Sequence, residues 1–495
     1  MKAIIENKYY ITIIFFFSVL ISYYCFPAED AAILYAYSEN LADTGVISYF
    51  PGGEPAEGAT DFLWMILLSI FYFFGLNTYF SAIFINLCSL IIITKTIQDH
   101  FKLSNADGLV IFLFHLSLTH TYAALAGFSA LFVEMLLVLV ITNYLKNNTS
   151  KTIFFSFIGC LTRPDFVLFI LAINFSLLIK NFNIRIIKKY SLYTCLGIIY
   201  FIARYKYFGE LFPLPFYAKN TWDFLNNIEW GRQLLILSPC IVIFCFIKIK
   251  ENINHFFFVL LLTIVIPTLY YTNQTLYQNI GQRFYFYIPI IALIIILNLN
   301  FNIKEINKRK LINFLILSIG ITSFLHQSLD RSLGPLILNT KKNNFYLLTQ
   351  DLKKINNEKN IKVATTEAGL IPYISKANTI DLFGLNTKKL AKKPADKKYM
   401  EENYFDVIFV NSSIVGKTCK NFKDNFLKSK SLTKTQGDRK DNWTEFNYKI
   451  LSGINENEYE FFILKYPTLA AINKKSKSYQ NLKKSLIQRG GKHCK

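Results

Sequence analysis

The chain has 495 residues, 52% of them hydrophobic and 16% aromatic, with 47 Phe and a formal net charge of +21. So apolar a composition, with a mean hydropathy of +0.29, excludes an ordinary soluble domain. The charge does not signal nucleic acid: no aromatic-basic module is present, and the Lys and Arg sit in short loops and in the last third, where they set orientation and meet anionic headgroups.

Stretches near the ~20 residues that cross ~30 Å of hydrocarbon as a helix fall at about 9–26, 61–76, 79–95, 109–122, 127–145, 152–180, 191–208, 232–249, 256–272, 284–300 and 310–327. They predict a polytopic α-helical membrane protein of about 11 transmembrane helices. The first stretch, Tyr9–Phe26, lacks a small-residue cleavage site and ends among aromatic residues, which reads as an uncleaved anchor rather than a signal peptide. Lys2 and Lys8, the loop 180–189 with Arg185 and Lys188, the pair Lys248 and Lys250, and the loop 301–310 with Lys304, Lys308, Arg309 and Lys310 suit the cytoplasm. The loops at 27–60, 209–231 and 273–283 then face outward. This arrangement strands Lys95, Lys102, Lys146 and Lys151 on the outer side, and a re-entrant hairpin at 152–180, bent at Pro164, is the alternative.

After Asp330 the sequence turns polar and rich in Lys and Asn. The chain divides into a membrane domain, 1–329, with its first outer loop at 27–60, and a C-terminal domain, 330–495, which span parity puts outside the cytoplasm. "FYLLTQDLKKINNEK" reads as an amphipathic helix, and "IKVATTEAGLIPYIS" and "YFDVIFVNSS" each hold a β-branched run of strand length, so this domain is expected to be an α/β sandwich. The basic tail "NKKSKSYQNLKKSLIQRGGKHCK" reads as flexible or as lying on headgroups. Six cysteines lie in or beside apolar segments as small core residues, while Cys419 and Cys494 lie in the polar part. There is no CxxC, and the His and Cys spacing gives no zinc site.

The first outer loop, "PAEDAAILYAYSENLADTGVISYFPGGEPAEGATDFLW", opens on an acidic pair, Glu29-Asp30. Read alone, the pair is an ordinary acidic helix start. At the depth where hydrocarbon meets water, a carboxylate can also accept a proton from a hydroxyl. The ordered series Glu29-Asp30, Tyr37, Asn40-Leu41, Gly53-Glu54, Glu57-Gly58, Thr60 and Phe62-Leu63-Trp64 resembles the first outer loop of GT-C type, lipid-dependent membrane glycosyltransferases, in particular the arabinofuranosyltransferase-like enzymes of bacterial envelopes. "LTRPDFVLF", "RYKYFGELFPLPFYAKN" and "GLIPYISKANTIDLFGLN" match further segments of the same family. Three positions depart from it: Glu29-Asp30 replaces the frequent Asp-Asp, Ala36 replaces an Arg before Tyr37, and "GFSA" at Gly127–Ala130 replaces Gly-Leu-Glu-Thr.

The resemblance implies a GT-C fold in the bacterial inner membrane and a reaction in which a sugar leaves a polyprenyl phosphate for a hydroxyl of an envelope glycan, lipid or protein. No nucleotide site is needed, and a divalent cation is left open, since such transfer proceeds with or without one. Asp30 and Glu29 are then the catalytic acids. Lys219, Arg283, Arg163 and Arg204 are the candidates for the donor phosphate, which Arg can grip bidentately. Arg163 could instead pair with Asp165, Arg204 could mark a helix end, and Arg283 could only snorkel. Glu54, Glu57, Tyr37 and Asn40 either orient the loop or contact sugar. Glu134, inside an apolar helix, needs a partner that the sequence does not name. A glycolipid flippase or an O-antigen polymerase or ligase are the alternatives. A transporter would show paired halves with interrupted helices, and a polymerase would place its large outer loop between spans.

Overall fold

The computed structural model describes residues 8–180, 183–219, 255–272, 280–299, 340–411, 419, 422, 443–464 and 468–494. The predicted spans at 232–249 and 310–327 lie outside the described residues.

Helix α1 (Lys8–Tyr24) exposes Ile13, Phe15 and Phe16 along its side, as a lipid-facing helix would. It leads into α2 (Glu29–Thr44), which carries the acidic pair in its first turn. Helix α3 (Phe62–Phe73) occupies the predicted span at 61–76. Its 12 residues rise only about 18 Å, and it runs beside α2. Asp61 at its start shares a cleft with Asp30, and Tyr72 near its end donates to Asp43 at 3.4 Å. The chain is therefore still beside α2 when α4 (Thr78–Phe101) begins, with Thr78 donating to Glu39 at 2.6 Å. The apolar run is real, but Ile70, Phe73 and Phe74 are its exposed side, the pattern of a helix lying on a membrane surface.

The bundle continues with α5 (Asn105–Ser117), α6 (Thr119–Leu125), α7 (Ala130–Leu145), α8 (Thr149–Thr162), α9 (Phe166–Lys180), α10 (Ile184–Phe208), α11 (Leu214–Lys219), α12 (His255–Thr272) and α13 (Tyr287–Leu299). Among the described residues, helices α4 and α10 and the stretch Ile280–Asn298 are long and apolar enough to cross a membrane, and α5 with α6, bent by 73°, passes the same test only as a pair, the form of a broken span or a re-entrant loop. The segment 152–180 takes the alternative form that the sequence offers, a hairpin of α8 and α9 broken at Arg163-Pro164-Asp165, because a proline cannot follow a helical residue without cost. Buried faces of α4, α7, α9, α12 and α13 form one apolar core through Ile93, Leu137, Phe169, Leu260 and Ile291.

Side-chain contacts mark the two ends of the bundle. The start of α4 and the end of α6 meet through Tyr79 and the Leu125 carbonyl at 2.8 Å, on the acidic-loop end. On the opposite end, Lys180 reaches Asn147 at 3.3 Å, Lys189 meets Ser150, and His255 lies 2.7 Å from Ser176. Lys102 and Lys146, at the ends of α4 and α7, join these basic residues, so the lysines that the predicted span order left on the outer side fall with the others.

The C-terminal part is a six-stranded mixed sheet between helices. Its elements are α14 (Asn344–Lys359), β1 (Lys362–Thr365), β2 (Asn378–Asp381), α15 (Lys388–Ala391), α16 (Lys397–Glu402), β3 (Val407–Asn411), α17 (Trp443–Gly453), β4 (Tyr459–Ile463), β5 (Thr468–Asn473), α18 (Tyr479–Gln488) and β6 (Lys492–Cys494). The order is β2-β1-β3-β5-β4-β6, with β1 parallel to β2 and β3 and the remaining pairs antiparallel. Alternation along the strands sends Val363, Val407 and Phe409 to the face covered by α14 and α18, and Ala364, Ile408 and Val410 to the face covered by α17. The expected α/β sandwich is present. The basic tail is not a loose extension: it supplies α18 and β6, and Cys494 is bonded to Cys419.

The turn of the α8–α9 hairpin is closed by Gly159, whose missing β-carbon would overlap the ring of the fully buried Phe166. Gly159→Leu is expected to splay the hairpin and lower the unfolding temperature of the detergent-purified protein, by an overpacking cost of about 1–3 kcal/mol. An unchanged thermal unfolding curve would show that the hairpin is not closed at this point.

Candidate active site

On the acidic-loop end, five segments converge on a cleft of about 140 Å³. The first turn of α2 brings Asp30, the start of α3 brings Asp61 and Trp64, and the link from α6 to α7 brings Gly127–Ala130. Arg163 comes from the hairpin break and Arg283 from the turn before α13. Pro215 of α11 and Leu385 of the sheet domain close the rim.

Arg283 lies 3.1 Å from Asp30, Nη2 to Oδ2. Its guanidinium stands 3.8 Å from the ring centre of Phe128 and 5.0 Å from that of Phe284, and the Arg163 guanidinium stands 5.3 Å from the ring centre of Phe284. One ring thus supports two cations. Arg163 forks onto Asp165, with Nε to Oδ1 at 3.0 Å, and Tyr271 donates to the same carboxylate at 2.5 Å. Both arginines are almost wholly buried. Asp61, which the sequence pattern alone does not single out, accepts hydrogen bonds from Ser129 and, at 3.3 Å, from Thr60. A signal for it exists: it is a carboxylate opening an apolar run, inside the Thr60–Trp64 match.

The acidic pair divides. Asp30 lines the cleft and Glu29 does not. Glu29 Oε1 accepts from the backbone N–H groups of Gly369, at 2.6 Å, and Leu370, at 3.1 Å. Burial pushes its carboxyl up to about 8, nearby Glu367 pushes the same way, and the two amides oppose them. Glu29 is therefore a docking group for the sheet domain.

Most of the loop residues proposed to touch sugar are engaged in building the loop. Tyr37 donates to Asn386 Oδ1 at 3.2 Å and accepts from the Gly58 N–H at 3.1 Å. Asn40 donates to the Ser48 carbonyl at 2.9 Å. Glu57 forms a buried ion pair with Arg204, whose other nitrogen donates to the Leu211 carbonyl at 2.6 Å. Burial raises the Glu57 carboxyl and Arg204 counters it. Arg204 thus holds α10 to the loop and does not line the cleft. Glu54 is exposed at the loop tip, outside the cleft. Lys219 is the last residue of α11, and its side chain lies outside what is described. Among the described residues no three His, Cys, Asp or Glu side chains converge as metal ligands. Asp30 and Asp61 are the carboxylates that a divalent cation entering the cleft would meet.

The loop and the sheet domain are joined by further contacts. Lys376 lies 2.6 Å from Glu39 in a largely buried ion pair, and Tyr49 donates to the Ala368 carbonyl at 2.5 Å.

With this geometry in hand, comparison with solved structures gives the fold. The chain is similar to ArnT from Cupriavidus metallidurans bound to undecaprenyl phosphate, with a TM-score of 0.58 and 9% sequence identity over 96% of this chain and 98% of that one. It is similar to the apo state of the same protein with a TM-score of 0.57 and 9% identity, over 95% and 97%. The chain therefore has a GT-C-like, membrane-embedded fold. Residues 348–462 match a family model described as "Domain of unknown function (DUF8728)". No curated protein matches the sequence.

Glu29 supplies a pH test. Its folded-state value lies above that of an exposed carboxyl, so the folded state holds a proton that the unfolded chain releases. Its contribution is complete in acid and is lost as pH rises through about 8. Glu29→Gln keeps an acceptor for both amides and removes the charge. The wild-type unfolding temperature is expected to fall relative to Glu29→Gln between pH 5 and pH 8, and parallel curves would remove Glu29 from the docking contact.

Proposed function

We propose that this protein is a glycosyltransferase that moves a sugar from a polyprenyl-phosphate donor to an acceptor hydroxyl at the outer face of the bacterial inner membrane. The observation that carries the reading is the Asp30–Arg283 pair: an acid and a cation, at the mouth of a half-enclosed cleft, on the end of the bundle covered by the sheet domain. The GT-C-like fold supports it, and one of the two ArnT structures holds undecaprenyl phosphate.

In this mechanism the bond from the sugar's anomeric carbon to the phosphate oxygen breaks, and the lipid phosphate leaves with the electron pair. The acceptor oxygen bonds to that carbon, and its proton passes to Asp30. Arg283 and Arg163 stabilise the leaving phosphate through charge-assisted hydrogen bonds. Lys219 remains a candidate for the same role on sequence grounds. Arg283 serves twice: when a donor phosphate takes the guanidinium, Asp30 is released to face the acceptor. Donor binding thereby prepares the base. Asp61, held by Ser129 and Thr60, is the second carboxylate that acceptor or sugar hydroxyls would meet.

The chain divides on this reading into a membrane domain, 1–329, and an extracytoplasmic domain, 330–495. The proposed span count stays at eleven, with the segment 61–76 removed, 152–180 counted twice, and 232–249 and 310–327 retained from sequence. A disulfide between Cys419 and Cys494 suits the oxidising side of the membrane.

Asp30→Asn is expected to cut turnover by about 10²–10⁴ while undecaprenyl phosphate still binds. Arg283→Ala is expected to weaken donor binding and leave acceptor affinity unchanged. The assay is transfer by purified enzyme from a panel of polyprenyl-phosphate sugars, with products read by mass spectrometry. Normal turnover in both variants would remove the pair from the chemistry.

The placement of the sheet domain is checked separately. After mild reduction of intact spheroplasts, a membrane-impermeant thiol reagent is expected to label Cys419 and Cys494. Labelling of these two only after lysis would reverse the orientation and put the cleft on the cytoplasmic side.

A further inference from the structure

Glu134 is an acid within an apolar helix, and the cleft chemistry leaves it unused. It is fully buried on α7, and its carboxylate meets two histidines, His120 Nε2 at 2.7 Å and His115 Nε2 at 3.4 Å. The other ring nitrogen of His115 lies 2.7 Å from the Ile111 carbonyl. A carbonyl only accepts, so Nδ1 carries a proton there, and Nε2 donates to the carboxylate only in the doubly protonated imidazolium form. The two histidines stand on opposite sides of a break. His115 belongs to α5 and His120 to α6, whose axes are bent by 73°. Thr121 adds a bond across the same break, donating to the His115 carbonyl at 2.5 Å. One carboxylate thereby meets both arms of the bend, through a hydrogen bond to His120 and a longer ion-pair contact with His115.

Helix α6 is where part of the cleft is seated. Gly281, at φ +59°, packs so closely against it that a β-carbon would lie 2.5 Å from the Thr119 oxygen and 3.1 Å from Ala123, and Arg283 follows two residues later. The far end of α6 passes into Gly127–Ala130, the wall of the cleft, where Phe128 lies under the Arg283 guanidinium. A buried, ion-paired acid is a poor source of net stability, which leaves geometry as what it supplies.

The geometry points to Glu134 as a positioning residue for the cleft, fixing through His120 and His115 the short helix against which the Arg283 turn and the Phe128 wall are packed. The inference rests on reading the cleft as the donor-phosphate site, and its test separates the two. Full-length wild type, Glu134→Gln and Glu134→Asp are compared in detergent by hydrogen–deuterium exchange and by binding of undecaprenyl phosphate, followed through intrinsic fluorescence, to which Trp64 of the cleft contributes. Loss of the charge-assisted bonds in the Gln variant is expected to speed exchange in 119–128 and 280–286 by about tenfold and to weaken lipid-phosphate binding by about tenfold. Exchange in the sheet domain stays unchanged, and the Asp variant, which keeps the charge, recovers part of both effects. Wild-type exchange in both segments, with unchanged affinity, would overturn the proposal. Loosened segments in a protein whose wild type does not bind the lipid phosphate would uphold the positioning role and overturn the donor reading instead. Should Glu134→Gln not fold, His120→Gln removes the imidazole that makes the shorter contact and is measured in the same way: loosened segments uphold the positioning role, and wild-type exchange with unchanged affinity overturns it.

Discussion

The first turn of α2 is a contact between two backbones. A β-carbon on Gly369 would overlap the carbonyl oxygen of Glu29, and the Glu29 side chain takes the N–H groups of Gly369 and Leu370. No other residue type fits at 369 without moving one chain or the other. Successive helical residues point about 100° apart, so once Glu29 is committed to the sheet domain, Asp30 turns away from it toward Arg283. The cleft exists because this one contact fixes both the roll of α2 and the seat of the domain above it. Glu39–Lys376, Tyr37–Asn386 and Tyr49–Ala368 extend the same seam along α2 and its loop. Leu385 reaches the cleft only because that seam is closed.

Much of this is legible in the sequence, for definite reasons. A carboxylate pair at the end of a membrane-length apolar run is costly anywhere except at a water boundary, so its depth can be read. Strand and helix periods in 344–411 are clean because one face of each element is buried against the sheet. What hydropathy does not encode is the geometry of the runs. The run at 61–76 is as apolar as a span, and only its contacts at both ends with α2 show that it lies alongside. Pro164 marks the hairpin, yet a bend and a full reversal look alike in one dimension.

Roles within the loop are less legible still, because a polar residue that builds a loop and one that binds a sugar are the same residue type. Glu57 and Arg204 match the family pattern and are spent on each other. Tyr37 and Asn40 satisfy buried partners within the loop and across the seam. Asp61 is easily passed over because its neighbours Thr60 and Phe62 carry the match. Glu134 stands out in sequence but without a partner, since His115 and His120 come near it only when α5 and α6 bend.

The charges of the cleft constrain its chemistry further. Asp165 occupies Arg163 and Asp30 occupies Arg283, while Asp61 stands near both arginines and is hydrogen-bonded by hydroxyls alone among its described contacts. Three carboxylates thus face two guanidiniums in a site walled by Phe128, Phe284 and Trp64, where charges are poorly screened. On the proposed reading, an anion entering such a site competes with these carboxylates for the guanidinium N–H groups. Of the two ion pairs, Arg163–Asp165 is bidentate and reinforced by Tyr271, whereas Arg283–Asp30 is a single bond at 3.1 Å. On the proposed reading, a phosphate that takes Arg283 leaves Asp30 as the freed carboxylate, so the group best placed to accept the acceptor's proton is the one whose partner the donor removes.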